Sequence, residues 1–446
     1  WLKAKFSVRP MTPAALPMDP IPRVHSLSEE EFVDRFLIPN RPCIITDIVP
    51  SWQAYKAWKT FENFLSMFGD TELPSCFSFV AGGSIAGGPP PATHVATVRR
   101  YLDEHPYLKD WHMQEQLADV AYDVPSFLGG LTVFDWINGR EESLGDVGGA
   151  SSPERCCPAS PWLRDDYRFC YVGKAGSGTG LHFDVMASYS WSANIIGRKR
   201  WTFFHEDSLD ELMLDNRDMI PLDHRLFRRD EAGRLVDIRP VDDLEPLGEG
   251  RNRGDVVATV WIPGSLCGRR TAPGDEADGR PLPPFVEVIQ EPGELIFVPA
   301  CWAHVVENLT DAVSINHNWI NAGSLRYMWD FLVKEHLNVR RELAQWGLEG
   351  SPDFEQQALA ILRSNSKLDF DIFAACLSQG TWCLDAESQR RRAEGNQATL
   401  VHEDAWTQRS SCAKWAEFSR EEIRRLSVEL SRYLSAQPPP ASRAPA

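Results

Sequence analysis

Apolar positions along the chain follow two different periods, and the change between them divides it. After a Pro- and Met-rich opening, Ser28-Glu29-Glu30-Glu31 precedes Phe32, Val33, Phe36 and Leu37. That is a capping box followed by the apolar stripe of an amphipathic helix. Pro39-Asn40-Arg41-Pro42 breaks it, and Cys43 to Thr46 reads as a short buried strand. A second helix is predicted from Thr60 to about Met67, with Gly69-Asp70 ending it, and a third from Val98 to about Leu102. Tyr107 to Asp110 is a strand, and the stretches 82–91 and 138–161 are loops. Residues 1–24 are an extended arm, and 25–165 are helical and strand elements that pack on the β-rich core after them.

From Phe169 the period becomes two. Strands are predicted at Phe169 to Gly173, Ala187 to Ile196, Arg200 to Phe204, Phe285 to Ile289, Leu295 to Pro299 and Ala312 to Ile320. In the second, Ser190, Ser192 and Asn194 share one face and Tyr189, Trp191, Ala193 and Ile195 the other. A polar inner face opposite an apolar outer one suits a barrel or sandwich with a wet pocket. Between about 207 and 284 charge, Gly and Pro dominate and the pattern fades, as in a long insertion, partly ordered and partly mobile. Helical spacing returns from Ser324 to about Trp346, through Leu325, Met328, Trp329, Leu332 and Val333, and Gly347 stops it. Further helices are expected at Phe354 to Arg363 and Arg420 to Leu434, before a disordered tail over 436–446. The chain is therefore mainly β with flanking helices: a core over 166–322 and a C-terminal helical region over 323–435.

Composition adds exclusions. The chain has 446 residues, 16 tryptophans and 22 phenylalanines, which argues for packed globular structure over disorder. A net charge of −17 disfavours direct nucleic-acid binding and points to protein or small-molecule partners. The ten cysteines include no CxxC pair, so neither a zinc module nor a redox dithiol is expected. No apolar run approaches the length of a membrane span. With no signal peptide either, the expected location is cytoplasmic, or also nuclear. The first residue is Trp1, so a targeting segment before it is left open.

The chemistry gathers between Thr179 and Trp201. His182 and Asp184 stand two apart; on a strand they present an imidazole and a carboxylate on one face, with Leu181, Phe183 and Val185 turned to a core. The Gly-rich run 173–180 superficially resembles a phosphate loop. Its lysine comes too early, however, and a strand pattern, not a helix, comes after it. Two ligands do not make a stable metal site. His304, which begins a strand after a Pro-containing turn, is the candidate third. Two imidazoles and one carboxylate on one face of an Fe(II) ion leave the opposite positions open for substrates.

Thr179-Gly180-Leu181-His182-Phe183-Asp184, Gly197-Arg198-Lys199-Arg200-Trp201, and Gly293-Glu294 through Pro299 to His304 together resemble the JmjC family. That resemblance implies a double-stranded β-helix, the cupin jelly roll, and an oxygenase using Fe(II), 2-oxoglutarate and O2. It implies His182, Asp184 and His304 as catalytic iron ligands. It assigns Lys199 to the distal carboxylate of 2-oxoglutarate, with Thr179 and Tyr107 assisting. Asn194 and Asn318, on inner faces by parity, are expected to hold the co-substrate or oxygen, while His317 and Trp319 fall on the opposite, core face. Further strings resemble the subgroup of lysyl hydroxylases that act on the eukaryotic translation release factor. They are Tyr107 to His112, Asp166 to Phe169, Ser190 to Asn194 and Ser314 to Trp319.

The competing readings are a histone lysine demethylase, a non-catalytic JmjC scaffold and a cupin-like small-molecule enzyme. The C-terminal helices are a candidate homodimer surface.

Overall fold

The computed structural model describes residues 20–74, 96–116, 167–205, 285–395 and 404–436. Short pieces at 77, 79–80, 93–94, 122–124, 126–128, 135–138, 220–221, 227–229, 235–237 and 261–262 are also described. The opening arm up to residue 19, most of the expected insertion and the tail from 437 lie outside the described residues.

Eleven strands build two facing sheets. They are β1 (Arg23–Val24), β2 (Cys43–Ile45), β3 (Tyr107–Trp111), β4 (Arg168–Gly173), β5 (Gly178–His182) and β6 (Tyr189–Ile196). The others are β7 (Lys199–Phe204), β8 (Phe285–Gln290), β9 (Leu295–Val298), β10 (His304–Asn308) and β11 (Ala312–Trp319). The larger sheet runs β1-β2-β9-β6-β11-β4-β3 and the smaller β8-β7-β10-β5. From β4 onward the chain passes repeatedly between the two sheets, as in a double-stranded β-helix. The arm ends earlier than its composition suggests, because Arg23 and Val24 pair in parallel with Ile44 and Ile45.

Both faces of the large sheet are buried. On β9, Ile296 and Val298 join Ile44, Trp201 and Phe203 in an apolar cluster between the sheets. Leu295 and Phe297 point the other way, into the main core with Phe32, Trp191 and Trp319. Burying each such aromatic side chain stabilises the fold by about 2–3 kcal/mol. The space between the sheets is thus apolar at one end. At the other, three polar pairs face inward from neighbouring strands: Ser190 with Asn318, Ser192 with Asn316 and Asn194 with Ser314.

The first helix forms with its capping box: Glu31 N–H donates to Ser28 Oγ and Ser28 N–H to Glu31 Oε2, both at 3.2 Å. It continues as a π-helical segment over Val33–Leu37. The helix Gln53–Trp58 has no counterpart in the periodicity, since it spans fewer than two turns. The C-terminal region is Ala322–Gln345, Phe354–Ser366, Phe370–Gly395 and Asp404–Ser435. The third of these is not predicted by the apolar spacing, and the fourth begins well before Arg420.

Asn40 ties the N-terminal helix to the metal-side loop. It is buried and left-handed (φ 55°). Its side-chain amide donates to Ala300 O at 2.9 Å, and its Oδ1 accepts from Ala300 N–H at 3.0 Å. Ala300 lies on the turn that delivers His304. Asn40→Ala orphans two buried backbone groups and is expected to cost about 2 kcal/mol, read by urea denaturation. An unchanged midpoint would refute this.

Candidate active site

The site begins where β5 ends. His182 closes that strand and His304 opens β10, and the two are direct cross-strand partners, their rings 4.2 Å apart. On its other side His304 pairs with Phe203 of β7. Each imidazole Nδ1–H donates to a carbonyl two residues back, Gly180 O at 2.9 Å and Trp302 O at 2.8 Å. Those bonds fix the tautomer and leave Nε2 bare, the state a metal ligand needs. Burial holds both imidazoles below their ordinary pKa. They are therefore neutral, although Asp184 pulls His304 partly back up.

Asp184 departs from the strand picture. It lies beyond the end of β5, leading into a short 3-10 turn, Val185–Ala187, in which Met186 and Ala187 both have positive φ (57° and 51°). β6 starts at Tyr189, later than expected, for the same reason. Val185 is consequently exposed (46%), not core-facing. Phe183 packs edge-on to Phe331 at 5.3 Å. Simple alternation does not orient the carboxylate; Ser190 does, its Oγ–H donating to Asp184 Oδ2 at 2.7 Å. The ligand atoms of His182, Asp184 and His304 all lie within 4.8 Å of one another. Two neutral nitrogens and one carboxylate oxygen suit Fe(II) with open positions.

Beside this group a cavity is lined by Tyr107, Thr179, Lys199 and Asn318, together with the three ligands. Lys199 is only 2% exposed, and its ammonium donates to Ser314 Oγ at 2.6 Å. Burial pushes its pKa down to about 7. A buried ammonium with one hydroxyl partner is a binding site for an anion. Tyr107 is hydrogen-bonded to Thr179, and burial raises its phenol well above the ordinary value. Gly173 faces Tyr107 across the β3–β4 ladder, and a Cβ there would stand 2.7 Å from the Tyr107 ring. The missing side chain lets that ring lie against the sheet.

Asn318 lines the cavity, its amide donating to Ser188 Oγ at 3.3 Å. Asn194 does not line it. Its amide donates to Gly197 O at 2.5 Å, bracing the β6–β7 turn, where Gly197 takes φ 82°. Alternation puts it on the inner face, where its amide is taken up by that turn. His317 lies on the far face, stacked on Trp191 at 4.1 Å.

Lys109, Tyr171, Ser190, Trp201, Val306 and Asn316 also line the cavity and carry no assignment from sequence. Lys109 stands two residues after Tyr107, and that i, i+2 relation is the available signal.

A family model described as a cupin-like domain matches residues 134–324. The human 2-oxoglutarate and iron-dependent oxygenase JMJD4 is 30% identical over 371 residues, covering 78% of this chain and 72% of that protein. The chain belongs to the JmjC family of 2-oxoglutarate- and iron-dependent oxygenases. The zebrafish JMJD4 is 31% identical over 369 residues, covering 78% of this chain and 71% of the relative. An arginine-specific demethylase of Arabidopsis thaliana, JMJ20, is 30% identical over 374 residues, covering 80% and 70%. In a JmjC oxygenase the cofactor is iron and the co-substrates are 2-oxoglutarate and O2. The donor set of this cavity fits them: neutral imidazoles and a carboxylate for the metal, a buried ammonium for a dicarboxylate. Among the described residues no helix is long and apolar enough to cross a membrane.

Proposed function

We propose that this JmjC oxygenase is a protein hydroxylase that oxidises a lysyl side chain of the cytoplasmic translation release factor. The observation that carries the oxygenase part is one cavity holding a His-Asp-His ligand set beside a buried ammonium. The lysyl substrate is supported by the subgroup strings, including Tyr107 to His112 and Ser314 to Trp319.

His182, Asp184 and His304 would hold the iron, their side chains oriented by Gly180, Ser190 and Trp302. Lys199 would bind the distal carboxylate of 2-oxoglutarate, with the Thr179 and Tyr107 hydroxyls beside it. Asn318 and Asn316, which line the same cavity, would offer amides to the co-substrate. Trp201 and Val306 keep water from the reacting centre. The bound iron, with 2-oxoglutarate and O2, supplies the oxidising power to break an unactivated C–H bond.

The likeness to the Arabidopsis demethylase supports a second reading, loss of an N-methyl group from methylated arginine. Incubation with Fe(II), 2-oxoglutarate and either release-factor peptides containing Asn-Ile-Lys-Ser or methylarginyl histone peptides separates them by product mass. The first reading predicts one retained oxygen on lysine. Methyl loss instead would overturn it in favour of the second.

A further inference from the structure

Beside the ligand triad, β3 breaks its pairing. Tyr107 and Leu108 face Gly173 and Val172, and the register then jumps to Trp111 opposite Cys170. One extra residue is accommodated there, a bulge of the kind that re-aims side chains at sites. Its two residues diverge in environment. Lys109 lines the cavity, and its charge reaches both imidazoles. Asp110 is exposed and left-handed (φ 59°), a conformation that Asp tolerates better than most residues.

The Tyr171 hydroxyl donates to Asp110 Oδ1 at 3.0 Å. Tyr171 also lines the cavity, so this carboxylate is anchored at the edge of the oxygenase centre. Phe169 stacks parallel to Tyr171, 7° between planes and 6.1 Å between centroids. No lysine or arginine among the described residues makes an ion pair with Asp110. The result is a carboxylate hydrogen-bonded to one ring of a stacked aromatic pair, a combination suited to an organic cation with an apolar stem. There is also an electrostatic need for it. Among the described residues that line the cavity, Lys109 and Lys199 are the lysines and Asp184 is the one carboxylate. A cationic side chain entering past Lys109 is repelled unless a second carboxylate offsets that charge.

We propose that Asp110, with Tyr171 and Phe169, forms the recognition site for the cationic side chain of the peptide substrate. The carboxylate takes the ammonium or guanidinium and the rings take the methylene stem. This rests on the oxygenase reading of the adjoining cavity, but not on which cation is oxidised.

Asp110→Asn removes the charge and keeps an acceptor for Tyr171. The test pairs it with lysyl and norleucyl peptides, and with arginyl and citrullyl peptides. Turnover is measured alongside calorimetric binding to anaerobic protein loaded with Mn(II) and 2-oxoglutarate. The wild type should prefer a cation over its neutral isostere by about tenfold, through KM and binding affinity, the scale of one charge-assisted contact. Asp110→Asn should erase that preference while leaving 2-oxoglutarate affinity unchanged. A preference that survives Asp110→Asn overturns the proposal, as does wild-type protein that binds cation and isostere equally; hydroxylation of the lysyl peptide would stand in both cases. An Asp110-dependent preference for arginyl peptides, with no lysyl oxidation, keeps this site and removes the release-factor reading.

Discussion

His304→Ala should abolish iron-dependent consumption of 2-oxoglutarate, by at least about a thousandfold, equivalent to ~4 kcal/mol in transition-state stabilisation. A triad on one metal face has no spare donor, so two ligands leave the ion weakly held and wrongly oriented. The backbone should survive the change. β10 is paired on both sides, to β5 and β7, and its ladder does not depend on the imidazole. The metal-free variant should therefore match the wild type in circular dichroism. It should also be less acid-sensitive. The buried His304 has a folded pKa below the unfolded 6.5, so the unfolded chain binds more protons than the folded one as pH falls through that value. Its contribution to stability is complete above about pH 6.5 and lost below it. Removing the imidazole should flatten that part of the stability profile relative to wild type. Fe(II)-dependent succinate production by the variant at near wild-type rate would rule out His304 as a ligand.

Lys199→Met should sharply weaken 2-oxoglutarate binding without harming the fold. The side chain is 2% exposed and its volume is close to that of methionine, so the apolar stem repacks while the desolvated charge disappears. Thermal stability of the variant without ligand should equal or exceed that of the wild type, while 2-oxoglutarate KM rises by about a hundredfold or more, as for loss of a buried charge pair. The wild type adds a pH signature. Folding lowers the Lys199 pKa to about 7, so the unfolded chain binds the extra proton between there and about 10.4. This residue's destabilising effect is full below pH 7 and relieved as pH rises through that window. Binding a dicarboxylate requires the ammonium. Affinity should therefore fall about tenfold per unit above pH 7, with one proton taken up on binding. Calorimetry in buffers of different ionisation enthalpy measures that proton. Affinity flat from pH 7 to 9 would show that burial does not bring the Lys199 ammonium down into this range.

Some of the site is legible in sequence for physical reasons. The alternation holds from Tyr189 to Ile195 on β6 and from Val313 to Trp319 on β11, because both faces of the large sheet are buried against different environments; a bulge breaks it at Ile196. The core placement of His317 and Trp319 is a direct result. Strand alternation groups Asp184 with His182 but fails in detail, since the strand has already ended and a serine hydroxyl holds the carboxylate. Asn194 shows the other limit: alternation gives the face and not the hydrogen-bond partner, which is the Gly197 carbonyl. Lys109 keeps an i, i+2 relation to Tyr107, and Tyr171 sits on the regular β4–β11 ladder, but alternation alone does not say which strands border the cavity. The helix Phe370–Gly395 escapes it because, although the buried Phe373, Cys376, Leu377 and Cys383 keep helical spacing, Ala374, Ala375 and the exposed Trp382 put apolar residues off that stripe and blur its contrast.

The bulge in β3 reaches beyond catalysis. β3 is the last strand of the seven-stranded sheet, so its outer side is where a flat sheet would template a further strand. An interrupted register, a left-handed residue and two opposite charges at Lys109 and Asp110 make that margin a poor template for intermolecular pairing. A deletion of one residue that restored regular pairing would remove that protection. The expected cost is colloidal: such a protein would be folded but prone to edge-to-edge aggregation on concentration.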